Sequence, residues 1–259
     1  MKLNVVKASE GASWVRLGIR TFWRQPFALG GLFLMFIIVT SLFAFVPRVG
    51  NLVAIVFIPA FSLGLMAAAR SAQQGQFPMP LVLFTAFRAG AERRNAMLRL
   101  GLVYAFMFVG VLGVSALIDD GQFASLYLFG GQITPELLQS SAFESAVWTA
   151  TLIYVPVSAM FWHAPALVHW HGVPVIKSLF FSLMACLSNW KAFLLYLITW
   201  IVLILGVIFA VIFVSGLLDL GEASGLTLTP ALILLAAMFF TSSYFSYVAC
   251  FEHQIDAQA

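Results

Sequence analysis

Residues 192–217 read AFLLYLITWIVLILGVIFAVIFVSGL, with no charged side chain among them. A helix rises 1.5 Å per residue, so this stretch would run about 39 Å, enough to cross the roughly 30 Å of bilayer hydrocarbon. A helix on the surface of a soluble protein needs a polar face, and this one has none. The chain around it has the same character: of 259 residues, 62% are hydrophobic, 15% aromatic and only 9% charged, with mean hydropathy +1.01. A soluble domain is about 25% charged. The composition excludes a soluble globular domain, and several spans leave no room for a separate one of ordinary size.

Uncharged apolar windows fall at 27–46, 52–69, 100–118, 146–168, 192–217 and 231–250. The expected fold is all-α, a polytopic membrane bundle of six transmembrane helices with cytoplasmic amphipathic surface helices, forming one integral membrane domain over residues 1–259. The linkers alternate: 70–99 and 169–191 are long and basic, 47–51 is a tight turn, and the other two are acidic. The first residues, MKLNVVKASEGAS, lead into Arg16, Arg20 and Arg24 without an apolar run of signal-peptide length, so no cleavable signal is expected. Cys186 and Cys250 are the only cysteines and read as packing residues rather than a disulfide framework.

Lys and Arg are held back on the cytoplasmic face during insertion. Lys2, Lys7, Arg16, Arg20, Arg24, Arg70, Arg88, Arg93, Arg94, Arg99, Lys177 and Lys191 fall on one side of the six windows, and Arg48 alone on the other. Asp119, Asp120, Glu136, Glu144, Asp219 and Glu222 accompany Arg48. The expected location is the bacterial inner membrane with both termini cytoplasmic.

The basic stretches before the odd-numbered spans look amphipathic. Arg16, Arg20 and Arg24 recur on one helical face, with Trp14, Gly18 and Phe22 turned away. Lys177, Ser178, Ser182, Ser188 and Asn189 share one side of a later stretch, opposite Ile176, Leu179, Leu183 and Leu187. Such helices lie in the headgroup plane, polar side to water. Arg16, Arg20, Arg24, Arg93, Arg94, Lys177 and Lys191 are therefore the expected contacts to anionic lipid, and lipid accounts for the net charge of +3 without nucleic acid. The order surface helix, span, turn, span suggests three copies of one unit, about 12–70, 81–168 and 174–251, jointed at RQP (24–26), RRN (93–95) and SNW (188–190). Pro59 and Pro156 in the second and fourth windows, and Pro165 beyond them, are expected kinks.

The run GIRTFWRQPFALGGLFLMF (18–36), a Pro-containing second span ending in AAAR (67–70) and FRAGAERRNA (87–96) before the third together resemble a family of uncharacterised six-span inner-membrane proteins of proteobacteria. More distantly the layout is similar to the membrane domain fused to some bacterial glycerophosphodiester phosphodiesterases. The resemblance implies topology and carries no catalytic residue.

Little in the chain reads as chemistry. The inner thirds of the windows hold no Asp, Glu, Lys or Arg, whereas an ion-coupled transporter keeps such a group near the midplane. Ser115, Thr149, Thr151, Ser158, Thr199, Thr241, Ser242 and Ser243 are expected to bond back to their own helices. Gly110 and Gly113 read as close-packing positions, and Asp119-Asp120 as a solvated loop end. His163, His169 and His171, with His253 on the same side, are the nearest thing to a ligand set. Pro165 breaks the helical register between the first two, and zinc ligands on one helix use i, i+4 spacing. The rings read instead as an interfacial belt with Trp162 and Trp170, so no metal, haem or other cofactor is expected. The favoured function is a non-catalytic scaffold, assembly factor or accessory subunit of a membrane protein complex. The rival is a transporter or permease for a lipid-like or apolar solute, and an enzyme using the histidines ranks last. A polar-lined cavity at Pro59, Pro156 and Pro165 would favour transport; a closely packed interior would favour a protein partner.

Overall fold

Apolar residues without a break for 18 or more positions can satisfy their backbone in lipid only as helix, and every long window of the chain does so. The computed structural model describes residues 3–46, 49–131, 133–217 and 224–251. Lys2, Arg48, Asp219, Glu222 and His253, which entered the charge and histidine arguments, lie outside the described residues. In chain order the helices are α1 (Glu10–Arg24), α2 (Pro26–Ala44), α3 (Gly50–Gln73), α4 (Thr85–Arg88), α5 (Ala91–Asp119), α6 (Gln122–Phe129), α7 (Pro135–Leu138), α8 (Ser141–Trp162), α9 (Ala164–His171), α10 (Val175–Ser188), α11 (Trp190–Leu217) and α12 (Ser224–Phe251), with a 3₁₀ turn at Pro80–Phe84 before α4. No strand occurs among the described residues.

Among the described residues, six helical stretches are long and apolar enough to cross a membrane: Pro26–Ala44, Gly50–Gln73, Ala91–Asp119, Ser141–His171, Trp190–Leu217 and Thr227–Phe251. They coincide with the six windows of the sequence, and the protein is an all-α polytopic membrane bundle. The third helix starts well before residue 100 because its charged first turns, Glu92 to Arg99, are helical too, and an apolar window cannot see a polar helix end. This also corrects one joint. Arg93, Arg94 and Asn95 sit inside α5, and the break falls at Gly90, whereas Gln25 and Asn189 do separate helices at the other two joints. Helices α3 and α8 run on through Pro59 and Pro156, and the chain leaves the helix only at His163, ahead of Pro165.

The described residues fall into two compact units, those within 1–35, 64–83 and 185–259, and those within 36–63 and 84–184. In the first, α1 lies against α11 and α12. Trp14, Val15, Gly18 and Phe22 are buried, whereas Arg16, Arg20 and Arg24 are exposed. The Trp14 ring meets Phe193 edge-on at 5.2 Å and Tyr196 at 6.0 Å. A Cβ at Gly18 would lie 2.6 Å from the Ser242 Cα, so only glycine lets α1 approach α12 here. The apolar face expected on lipid is thus covered by protein. Beneath it Tyr196 Oη and Ser242 Oγ share a 2.7 Å hydrogen bond. The segment ahead of α1 docks on the end of α12: the Asn4 N–H donates to the Cys250 carbonyl at 2.9 Å. Asn189, 2% exposed, touches both sides of this junction, with its Nδ2 3.6 Å from the Cys250 Sγ on α12 and two hydrogen bonds to the N-terminal segment. Its Oδ1 accepts the Val6 N–H at 2.7 Å, and its Nδ2 donates to the Asn4 carbonyl at 3.0 Å.

In the second unit α5 packs on α6, α8 and α9. Tyr104 and Phe161 meet edge-on at 4.9 Å. Within α10, Ser178 and Ser182 are buried together with Leu179, while Ile176, Phe180 and Phe181 are exposed and Lys177 stays outside as expected. This reverses the expectation of serines in water. Lipid is the solvent, so the apolar side is the one that can be left uncovered, and the hydroxyls turn inward to partners. Ser182 Oγ accepts the His163 N–H at 2.9 Å and donates to the Ala159 carbonyl at 2.7 Å. These are the donor and acceptor an unbroken helix would join directly, i to i−4. The serine of α10 is inserted into the ladder where α8 gives way to α9, a recognised cause of a helix break.

Candidate functional site

Four helices of the second unit surround a partly open cavity of about 460 Å³. Each contributes a stripe at helical spacing: Asn51, Ala54, Ile55 and Ile58 from α3; Phe108, Val111 and Leu112 from α5; Phe123 and Tyr127 from α6; Ala150, Thr151 and Tyr154 from α8. No lining residue is charged. The volume falls in the range of small-molecule sites, which are apolar with a few fixed polar groups. Its lining reaches Ile58, next to Pro59, and Tyr154, two residues before Pro156, but does not extend to Pro165, and it is apolar and aromatic rather than the polar lining expected of a transport path.

Its polar groups are held in place. Tyr154 Oη lies 2.8 Å from Tyr104 Oη. Thr151 donates back to the Val147 carbonyl at 2.8 Å. Phe108 meets Tyr127 and Tyr154 edge-on at 5.9 and 5.8 Å, and Phe123 meets Tyr127 at 5.1 Å. Helix α6 is pinned at both ends. Asp119 is 2% exposed, and its carboxylate accepts the N–H groups of Gly121 at 3.1 Å and Phe123 at 2.6 Å. Asn51 Nδ2 donates to the carbonyls of Tyr127 and Leu128 at 3.2 and 3.3 Å. Asp119 is therefore a buried cap and not a solvated loop end: orphan N–H groups at the start of a short helix draw a carboxylate inward. Neither this cap nor the Asn51 clasp was read from the sequence. The Asp-Asp-Gly before a short apolar run was the available signal for the first.

The residues singled out in the sequence are dispersed. Arg16, Arg20, Arg24, Arg94 and Lys177 are exposed, and Arg24 Nη1 reaches the Gln73 carbonyl at 3.4 Å. Lys191 lies over the Trp190 ring, 5.7 Å from its centroid. Arg93 Nη1 donates to the carbonyls of Val168 at 2.7 Å and His169 at 2.9 Å, closing the C-terminus of α9. His163 is fully buried at the helix break, so it belongs to no interfacial belt, and His171 is exposed. Among the described residues, no three His, Cys, Asp or Glu side chains are grouped to hold a metal ion. Ser115, Thr151, Ser158, Thr199, Thr241, Ser242 and Ser243 all donate to carbonyls three or four residues back. Gly110 and Gly113 face open space and pack nothing. Close approach occurs instead at Gly64, on Leu83, and at Gly101, on Val56.

No family model matches the chain, and no solved structure matches it. The distant similarity to the membrane domain of glycerophosphodiester phosphodiesterases receives no support from these comparisons. A protein of Burkholderia thailandensis, named a probable inner membrane protein, is 35% identical over 258 residues, which cover 98% of this chain and 95% of that one. Identity at that level across nearly the whole of both chains, together with six apolar helices of spanning length, makes the relation plain: the chain belongs to the same family and is a multi-pass inner membrane protein.

Proposed function

We propose that the protein binds a lipid-like amphiphile in the α3, α5, α6, α8 cavity and presents it within the membrane, as a carrier or permease for such a solute. The observation that carries this reading is the uncharged, aromatic lining of a cavity of about 460 Å³ next to two span prolines. An uncharged path suits a solute that need not be stripped of a tight hydration shell, and the Tyr104–Tyr154 hydroxyl pair can orient one polar group on it. The scaffold reading rests on the absence of chemistry and gains nothing specific from the exposed helix faces, which lipid would cover equally well. The test is extraction and mass spectrometry of small molecules retained by the purified protein, compared with Ala54→Trp, which fills the cavity. A retained apolar species missing from the variant is expected. No such species, or equal retention in both, overturns the proposal.

The charge distribution supports cytoplasmic termini, and the docking of Asn4 on Cys250 supports both ends of the chain lying on one side. On this reading a cysteine at Gln122 is labelled by an impermeant thiol reagent from outside, and one at Gln74 only after permeabilisation. The same reading puts Arg16, Arg20, Arg24, Arg94 and Lys177, all exposed, against anionic headgroups.

A further inference from the structure

A second and larger cavity, about 970 Å³, lies in the same unit but is lined by the first turns of α5, the end of α9 and the start of α10. Its wall changes character along α5. Glu92, Asn95, Arg99 and Leu102 follow at intervals of three or four residues on one helical face. The charged residues come first and a branched aliphatic follows. The opposite wall carries exposed His171 at the end of α9 and Ile176, 71% exposed, at the start of α10. Arg93 forms a fixed part of the polar end, since its Nη1 is held by the carbonyls of Val168 and His169. Gly172 is required beside it. Its φ is +68°, and a Cβ there would stand 2.7–2.9 Å from the Arg93 guanidinium.

We propose that this groove binds one anionic phospholipid, with its phosphate at Arg99 and its acyl chain along Leu102 and Ile176. Charge and apolarity select this occupant together. Two guanidinium groups against the single Glu92 carboxylate leave the polar end positive. Glu92 stands seven residues from Arg99, about 10 Å along the helix, whereas Leu102 follows within about 5 Å. A free phosphate would use the charged end alone and leave two exposed aliphatic walls uncovered. A zwitterionic lipid would bring a cation back to the guanidinium groups. Nothing in this proposal depends on a solute in the cavity of about 460 Å³.

The test is calorimetric titration of the purified full-length protein with short-chain phosphatidylglycerol, phosphatidylcholine of equal chain length, and inorganic phosphate. Phosphatidylglycerol is expected to bind at least tenfold more tightly than phosphatidylcholine, with inorganic phosphate failing to displace it at equal concentration. Arg99→Gln should remove the preference between the two lipids. Ile176→Ser alters an exposed side chain, so the fold has no reason to fail, and it should weaken phosphatidylglycerol several-fold. Running every titration in an Ala54→Trp background, which fills the other cavity, keeps lipid bound there out of the readout. Equal affinity for the two lipids, an unaltered preference in Arg99→Gln, an unaltered affinity in Ile176→Ser, or displacement by inorganic phosphate would each overturn the proposal.

Discussion

Helices α1 and α10 carry similar sequence signatures, an apolar stripe opposite a polar one, and they use them in opposite senses. Helix α1 packs on α11 and α12, buries Trp14 and Phe22, and leaves three arginines outside. Helix α10 buries Ser178 and Ser182 and leaves Ile176 and Phe180 outside. Amphipathicity gives an axis without a direction. In water the apolar end of that axis always points inward. In a membrane protein the direction depends on which backbone or side-chain groups nearby lack partners, and the broken turn at His163 supplies that need for α10.

The sharpest way to break this contrast is to truncate one large ring on each helix. Trp14→Ala should cost about 3–5 kcal/mol, the usual penalty for emptying a fully buried aromatic site, while Phe180→Ala, at an exposed position, should cost under about 1 kcal/mol. Thermal unfolding in one detergent decides between this and equal losses. Ser182→Ala strips a buried N–H and a buried carbonyl of their partner and should destabilise by about 1–3 kcal/mol. Ser182→Thr, which keeps the hydroxyl, should recover most of it. If Ser182→Ala instead matches the wild type, α10 does not turn its serines inward.

A smaller effect is expected from changing Arg16, Arg20 and Arg24 together to Glu. With the apolar face of α1 seated on protein, the unfolding temperature should move little. Retention on anionic vesicles should fall, at roughly 1 kcal/mol per charge before screening. A collapse of inserted protein would mean that the arginines, and not Trp14 and Phe22, hold the helix. The smallest signal should come from Cys186 on α10. Burial, with a lesser contribution from neighbouring Cys250, pushes its thiol up to about 12. Raised above its ordinary value, the group stays protonated at pH 7.5 and becomes thiolate only as the pH nears 12. Maleimide labelling of the native protein at pH 7.5 should therefore be slow beside that of a cysteine introduced at Gln74, and labelling at the same rate would show the α10 face to be open.

The spans were legible in the sequence because burial in lipid imposes one requirement on every residue of a long window, and 192–217 meets it without exception. The back-bonded hydroxyls were legible for the same local reason. What escaped were features made by distant pairings. Asn51 and Asp119 hold α6 from different helices, and Ser182 repairs a break nineteen residues upstream. The glycines misled in the same way. Gly110 and Gly113 carry a packing spacing but meet nothing, whereas Gly18 earns its place only through Ser242, more than two hundred residues on.

The seating of α1 also sets an order of events during synthesis. Its binding surface consists of α11 and α12, so about 170 residues must follow Arg24 before the first of those helices even starts. At roughly 5–20 residues per second that is on the order of ten to thirty seconds. Throughout that interval Trp14 lacks the Phe193 and Tyr196 rings it packs on, and the membrane surface is the nearest apolar phase. The three arginines lie outside the packed face of the finished helix and suit that waiting period, since cations beside anionic headgroups would hold a nascent helix at the surface, close to where its seat will arrive. The first helix to be made is among the last to be placed, and the clasp of Asn189 on Asn4 and Val6, next to Cys250, can close only once the chain is nearly complete.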